Sequence, residues 1–168
     1  GAMMKLHIQE ETMTESPRTS DPADSIERHI SIKADARRVY DLVSRPGWWI
    51  NEGTITDNLV ETVADVSTVT HAKYGSFRIR TVEERPPHYV AFRWLGGDQK
   101  NESLEAVPGT LVEFWIEESA GGGVTLRVLE SGFSSLPVTE EQRRKNIEDN
   151  TEGWEQELAA AKTYVETR

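Results

Sequence analysis

The 168-residue sequence contains no cysteine, so it can form neither a disulfide nor a thiolate metal site. Its four histidines lack the short spacing of metal ligands, and we expect no metal and no other cofactor. No apolar run reaches the ~20 residues that a membrane-spanning helix needs, and we expect no signal peptide. Basic residues are few, 19 against 29 acidic ones, and the formal net charge of −10 disfavours nucleic acid and anionic membranes as partners. Together these absences favour a cytoplasmic protein.

The N-terminal residues differ in composition from the rest of the chain. Gly1-Ala2-Met3 is typical of a cloning scar, and residues 4–24 are polar with few large apolar side chains. Such a segment cannot bury enough apolar surface to offset its chain entropy, so we predict a disordered tail over residues 1–24. Residues 25–168 are long enough to bury roughly 70% of their unfolded surface in one core, which predicts a single domain.

One long helix is predicted over the last 30 residues. Thr139 and Gln142 form a capping box, and apolar residues then recur at spacings of three, four or seven. No proline interrupts the run, so about seven turns are possible. Such a helix cannot bury its apolar stripe alone, and we expect it to pack on a sheet. The stripe consists of Ile147, Trp154, Leu158, Ala161 and Val165.

The residues that precede this helix have mainly the two-residue period of β-strands. Ser25–Lys33 alternates, and Asp35 can cap a short helix that ends before Pro46. The pattern is weaker over residues 55–64, and residues 96–109 are predicted as a polar loop. Consecutive hairpins favour an antiparallel sheet, which gives an α+β fold: a curved sheet wrapped around the long C-terminal helix, with short helices after the first strand. Further strands are predicted near residues 66–70, 77–84, 89–95, 111–117 and 124–131.

Several segments, in this order, resemble the START-like helix-grip superfamily (SRPBCC, the birch-pollen-allergen type), over roughly residues 26–166. Ile30–Ala34 leading into Val39–Val43 is similar to the start of that fold. The resemblance implies a cavity between sheet and helix that takes a small hydrophobic molecule. The branch named for the activator of the Hsp ATPase implies, as an alternative, a co-chaperone-like interaction module. The match to that branch rests on Arg85-Pro86-Pro87, Phe92-Arg93-Trp94, Glu130–Phe133, Gly153-Trp154 and Leu158.

Glu130 is the charged residue of greatest interest. It follows Val128 at period two, so its side chain should share the inward face of that strand. A carboxylate in an apolar cavity can orient a ligand or, with a raised pKa, act as an acid or base. The alternative is that it pairs with an inward arginine or accepts backbone hydrogen bonds. Arg78 and Arg80 could clamp an anionic ligand or partner Glu130, but we favour a solvated face because the opposite face is apolar.

Five tryptophans are many for this length, and aromatic rings suit a flat apolar ligand, although core packing is the alternative for each. Trp48-Trp49 could form a mobile lip over the cavity mouth. No nucleophile–base pair or phosphate loop is visible, so no catalytic residue is predicted, and a cyclase- or hydrolase-like enzyme using Glu130 is the third hypothesis. The leading prediction is non-catalytic binding of a small hydrophobic or aromatic ligand, with a chaperone as the alternative partner. The predicted binding residues are Trp49, Phe92, Trp94, Val128, Glu130, Phe133, Asn150, Trp154 and Leu158.

Overall fold

The computed structural model describes residues 24–97 and 109–168. The predicted tail up to residue 23 and most of the predicted polar loop lie outside these residues. Asp24, which the prediction assigns to the tail, contacts the domain: its carboxylate accepts a hydrogen bond of 2.9 Å from the Ser134 backbone N–H. Asp24 therefore contacts the domain, although the predicted domain begins at residue 25.

Seven strands form one antiparallel sheet in the order β1-β7-β6-β5-β4-β3-β2. A long helix, α2, contacts this sheet, and a short helix, α1, follows the first strand, so the predicted helix-grip architecture is confirmed. The elements are β1 (Ser25–Ile32), α1 (Ala36–Val43), β2 (Leu59–Val63), β3 (Val66–His71), β4 (Gly75–Arg85), β5 (Tyr89–Gly97), β6 (Leu111–Glu118), β7 (Val124–Ser131) and α2 (Glu140–Glu166).

Both helices begin at the residues that the capping signals predict. The Asp35 carboxylate accepts a hydrogen bond from the Arg38 N–H at 2.9 Å, and the Thr139 hydroxyl accepts one from the Gln142 N–H at 3.0 Å. These bonds satisfy backbone donors that have no partner within the helix. Helix α2 spans 27 residues, which makes it about 40 Å long.

The predicted apolar stripe of α2 is fully buried only in the second half of the helix. Trp154, Leu158, Ala161 and Val165 are buried, whereas Ile147 is only half-buried. In the first half Ile147 still packs against the core, but polar side chains that the stripe prediction did not include are buried there as well. These buried polar residues are Arg143, Asn146 and Asn150.

Strand β2 lies in the segment 55–64, where the sequence pattern predicts no strand. Its residues pair with β3 in antiparallel register, for example Val60 with Val69, through a turn in which Ala64 has a φ of 56°. All five β2 residues are exposed, and this strand is the last one at its end of the sheet. An exposed edge strand needs no alternation between core and solvent side chains, which removes the signal that identifies the other strands.

Candidate functional site

Aromatic rings fill the space between the sheet and α2. Trp49 lies at the centre of this aromatic cluster, with its ring centroid 5.5 Å from Phe92, 5.9 Å from Trp94, 5.7 Å from Phe114 and 5.6 Å from Trp154. None of these five side chains is more than 5% exposed. Such separations are typical of packed aromatic pairs. Within the described residues, these five rings pack against one another in the region where the sequence predicts a ligand.

Trp48 and Trp49 belong to this core, so the prediction of a mobile lip is wrong. Trp48 is 3% exposed, and its ring centroid lies 5.5 Å from that of Phe114. The chain reaches the interior through a tight turn at Gly47, where φ is +71° and an added Cβ would lie 2.9 Å from both methyl groups of Val69. Only glycine fits this turn without strain, and the turn directs both indoles inward.

Glu130 points into the interior, as its strand period predicts, and is 1% exposed. Its Oε1 accepts hydrogen bonds from Trp154 Nε1 at 2.9 Å and from Asn150 Nδ2 at 3.2 Å, and its Oε2 accepts one from the Thr110 hydroxyl. Burial raises the pKa of this carboxyl, while the hydrogen bonds from Thr110, Trp154 and Asn150 act in the opposite direction. In the described part of the chain these partners are neutral side chains, and not the arginine or the backbone groups that the alternative interpretation of Glu130 predicted. Glu130 therefore links β7 to α2 and to the start of β6.

Arg78 and Arg80 occupy the face of β4 that the sequence predicts, opposite the buried Ile79. Both are half-buried, and the Arg80 guanidinium forms an ion pair with Asp65, with Nε and Oδ2 3.4 Å apart. Neither arginine is among the hydrogen-bond partners of Glu130. The alternative that these arginines partner Glu130, against which the sequence analysis favoured a solvated face, is therefore not observed among the described residues.

Glu157 is a second buried carboxylate that sequence reasoning missed. It is 1% exposed, and its Oε2 accepts a hydrogen bond from Gln156 Nε2 at 3.3 Å, but its Oε1 has no partner among the described residues. Burial raises the pKa of Glu157 to about 7, although hydrogen bonding by Gln156, Asn51 and the Gly53 N–H opposes this. A signal exists in the sequence: Glu157 stands three residues after Trp154 on the buried stripe.

The predicted binding residues do come together in the interior. Val128, Phe133 and Leu158 belong to the same hydrophobic core as the aromatic cluster, and Asn150 is buried beside Glu130. Sequence reasoning thus identified the side chains that converge between sheet and helix. Their role in holding a ligand stays a prediction.

The surface pockets lined by described residues include two open ones. The larger, of about 510 Å³, lies between residues 53–55 and the second half of α2, and the smaller, of about 230 Å³, lies near Arg93 and Gly132. Within residues 24–97 and 109–168, no three histidine, aspartate or glutamate side chains are grouped as metal ligands would be. No helix in that part of the chain combines the length and the apolarity that crossing a membrane requires.

The most unusual surface is at the β2 end of the sheet. Leu59 is 63% exposed, Val60 37%, Val63 79% and Val82 49%. We call these four residues the edge patch. Val82 lies in a bulge of β4, next to Thr81, whose N–H donates to a carbonyl in the β2–β3 turn. Within the described residues, β3 is the only strand that pairs with β2.

Known structures share this architecture. The fold resembles that of MLL2253 from Mesorhizobium loti, with 16% identity, a TM-score of 0.63, and coverage of 85% of this chain and 97% of that one. It also resembles DynU16, a protein of the dynemicin biosynthetic locus (21% identity, TM-score 0.62), covering 87% of this chain but about half, 48%, of DynU16. The Aha1 dimer from Colwellia psychrerythraea is similar at 19% identity and a TM-score of 0.55, covering 84% of this chain and 96% of that one.

These similarities define the class of fold. At such identities they show the helix-grip fold alone, and this fold is compatible with ligand binding or with an interaction module. No protein-family model matches the sequence, and neither does any curated protein.

Proposed function

We propose that this chain is a cytoplasmic, non-catalytic protein-interaction module that binds its partner along strand β2. The observation that carries this proposal is the contrast between the packed, buried aromatic cluster of the interior and the exposed apolar edge patch. Soluble proteins commonly protect an edge strand with lysine, proline or a covering element. β2 reads Leu-Val-Glu-Thr-Val, with no lysine and no proline. Exposed large apolar side chains gathered at such an edge are typical of a protein-binding site.

The likeness to the Aha1 dimer structure supports a co-chaperone-like form of this proposal. In that form the chain belongs to the branch of the activator of the Hsp ATPase, and its partner is a chaperone. The buried Glu130 supports the non-catalytic part, because its carboxylate oxygens are already engaged by Thr110, Asn150 and Trp154. A catalytic acid or base needs a free path to its substrate.

Replacing Leu59 and Val63 together with lysine tests the proposal. Both side chains are exposed, so the free energy of unfolding should change by less than about 0.5 kcal/mol. Two positive charges on the edge should disfavour docking of an apolar strand or surface, and recovery of the partner from the native host should fall about tenfold or more. Affinity capture with quantitative mass spectrometry measures this loss.

The matched control is Ser119→Lys/Ala120→Lys, which adds the same charge at the exposed turn between β6 and β7. This control should capture the partner as the unmodified chain does. If the edge variant and the control both retained every captured protein, β2 would not be the binding edge.

Binding of a small hydrophobic molecule in the interior is the second candidate, and one observation favours it. The indole N–H groups of Trp48 and Trp49 and the Oε1 of Glu157 are buried without a hydrogen-bond partner in the described part of the chain. Buried polar groups in folded proteins are usually paired. A ligand that placed a polar group beside these side chains would supply the missing partners. This candidate predicts a small molecule retained by the protein purified from its native host.

A further inference from the structure

We infer that the partner segment that pairs with β2 is an extended strand with a lysine or arginine flanked by apolar residues. This inference rests on the proposed function and adds the chemistry of the partner. Three observations support it. The first is which side chains of β2 share a face, the second is the charge of Glu61 between two apolar residues, and the third is the like-charge contact that a second copy of this chain would make.

The faces of β2 follow from its register with β3. Val60 pairs with the buried Val69, and Thr62 pairs with the buried Ser67, so Val60 and Thr62 lie on the inner side of the sheet. Side chains alternate along a strand, which places Leu59, Glu61 and Val63 together on the outer side. An added antiparallel strand would set one residue opposite each of these three.

Glu61 determines the charge that such a strand needs. It is the only charged residue of β2, it is exposed, and the described residues give it no ion-pair partner. An opposite charge directly across a strand pair is favourable and a like charge is unfavourable. The formal net charge of −10 attracts a basic segment at longer range as well. The outer face of the partner strand is therefore apolar, basic, apolar.

A second copy of this chain fits the same edge less well. Two β2 strands that paired over their full length, about a two-fold axis at Glu61, would place Leu59 opposite Val63 and Glu61 opposite Glu61. That arrangement sets like charges face to face at the centre of the interface, between two chains that each carry a formal net charge of −10. The charge pattern of β2 favours a different, basic strand.

A blocked peptide, Ser-Val-Thr-Lys-Val-Val-Ser, serves as the probe, with its lysine designed to lie opposite Glu61. Its counterpart carries glutamate in place of that lysine. The lysine peptide should shift the backbone amide resonances of β2, and its affinity by fluorescence anisotropy should exceed that of the glutamate peptide about five- to tenfold at low salt. In Glu61→Lys the preference should reverse, which a general effect of peptide charge would not produce.

The possible outcomes test two claims separately: that the partner strand is basic, and that β2 is the edge it binds. Equal binding of both peptides at β2, or a preference that survives Glu61→Lys, would overturn the basic partner while leaving β2 as the binding edge. If neither peptide shifted β2 while Leu59→Lys/Val63→Lys still lost its cellular partner, the inference would fail and the proposed function would stand. A dimer in sedimentation that Leu59→Lys/Val63→Lys dissolves would identify a second copy as the occupant and overturn the inference.

Discussion

Replacing Trp154 with alanine should lower the free energy of unfolding by about 3–5 kcal/mol. The Trp154 ring is fully buried, and its centroid lies 6.4 Å from that of Trp48 and 5.6 Å from that of Phe114. Its Nε1 also donates to Glu130, so the substitution leaves both a void and a buried carboxylate with one donor fewer. Urea unfolding followed by circular dichroism measures the loss.

Trp154→Phe separates the two contributions. Phenylalanine retains most of the ring contacts and removes the hydrogen bond to Glu130, and we expect a loss of about 1–3 kcal/mol. A loss below about 1 kcal/mol for Trp154→Ala would mean that this ring does not anchor α2 on the sheet.

Glu157→Gln should stabilise the protein at alkaline pH by about 3 kcal/mol. The pKa of Glu157 is raised from 4.5 to about 7 by burial, so between these values the folded state binds more protons than the unfolded state. Stability therefore falls as the pH rises through this window, and the penalty is complete above pH 7. A shift of that size corresponds to roughly 3 kcal/mol, which the neutral glutamine avoids. Below pH 4.5 the two proteins should have the same stability.

Urea unfolding at several pH values between 4 and 9 measures this difference. Glu152→Gln on the same helix is the control, because Glu152 is exposed, and its effect should stay within about 0.5 kcal/mol at every pH. A destabilisation by Glu157→Gln above pH 7, or a gain that does not vary with pH, would contradict a buried carboxylate whose pKa is raised by burial.

The parts of the fold that sequence reasoning predicted are those with local signals. The caps at Asp35 and Thr139 depend on residues three positions apart, and strand β7 has a regular two-residue period over its whole length. That same period placed Glu130 on the inward face correctly. The position of these caps and the direction of this side chain are therefore predictable from neighbouring residues alone.

The rest depends on contacts between distant parts of the chain. Periodicity gives the direction of Glu130 but not its partners, because Thr110 and Asn150 each lie 20 residues away in the sequence. Trp48 and Trp49 carry no periodic signal, since a turn and not a regular element directs them inward. β2 escaped prediction because the sheet ends there and its side chains have nothing to bury against.

A photoreactive amino acid at position 59 tests the central claim most directly. Position 120, on the exposed β6–β7 turn, carries the same group as the control. After irradiation in the native host, intact-mass analysis should show the chain joined to a second protein from position 59 but not from position 120. No protein adduct at position 59, together with a small molecule retained by the unmodified chain, would contradict the interaction module and favour the interior ligand.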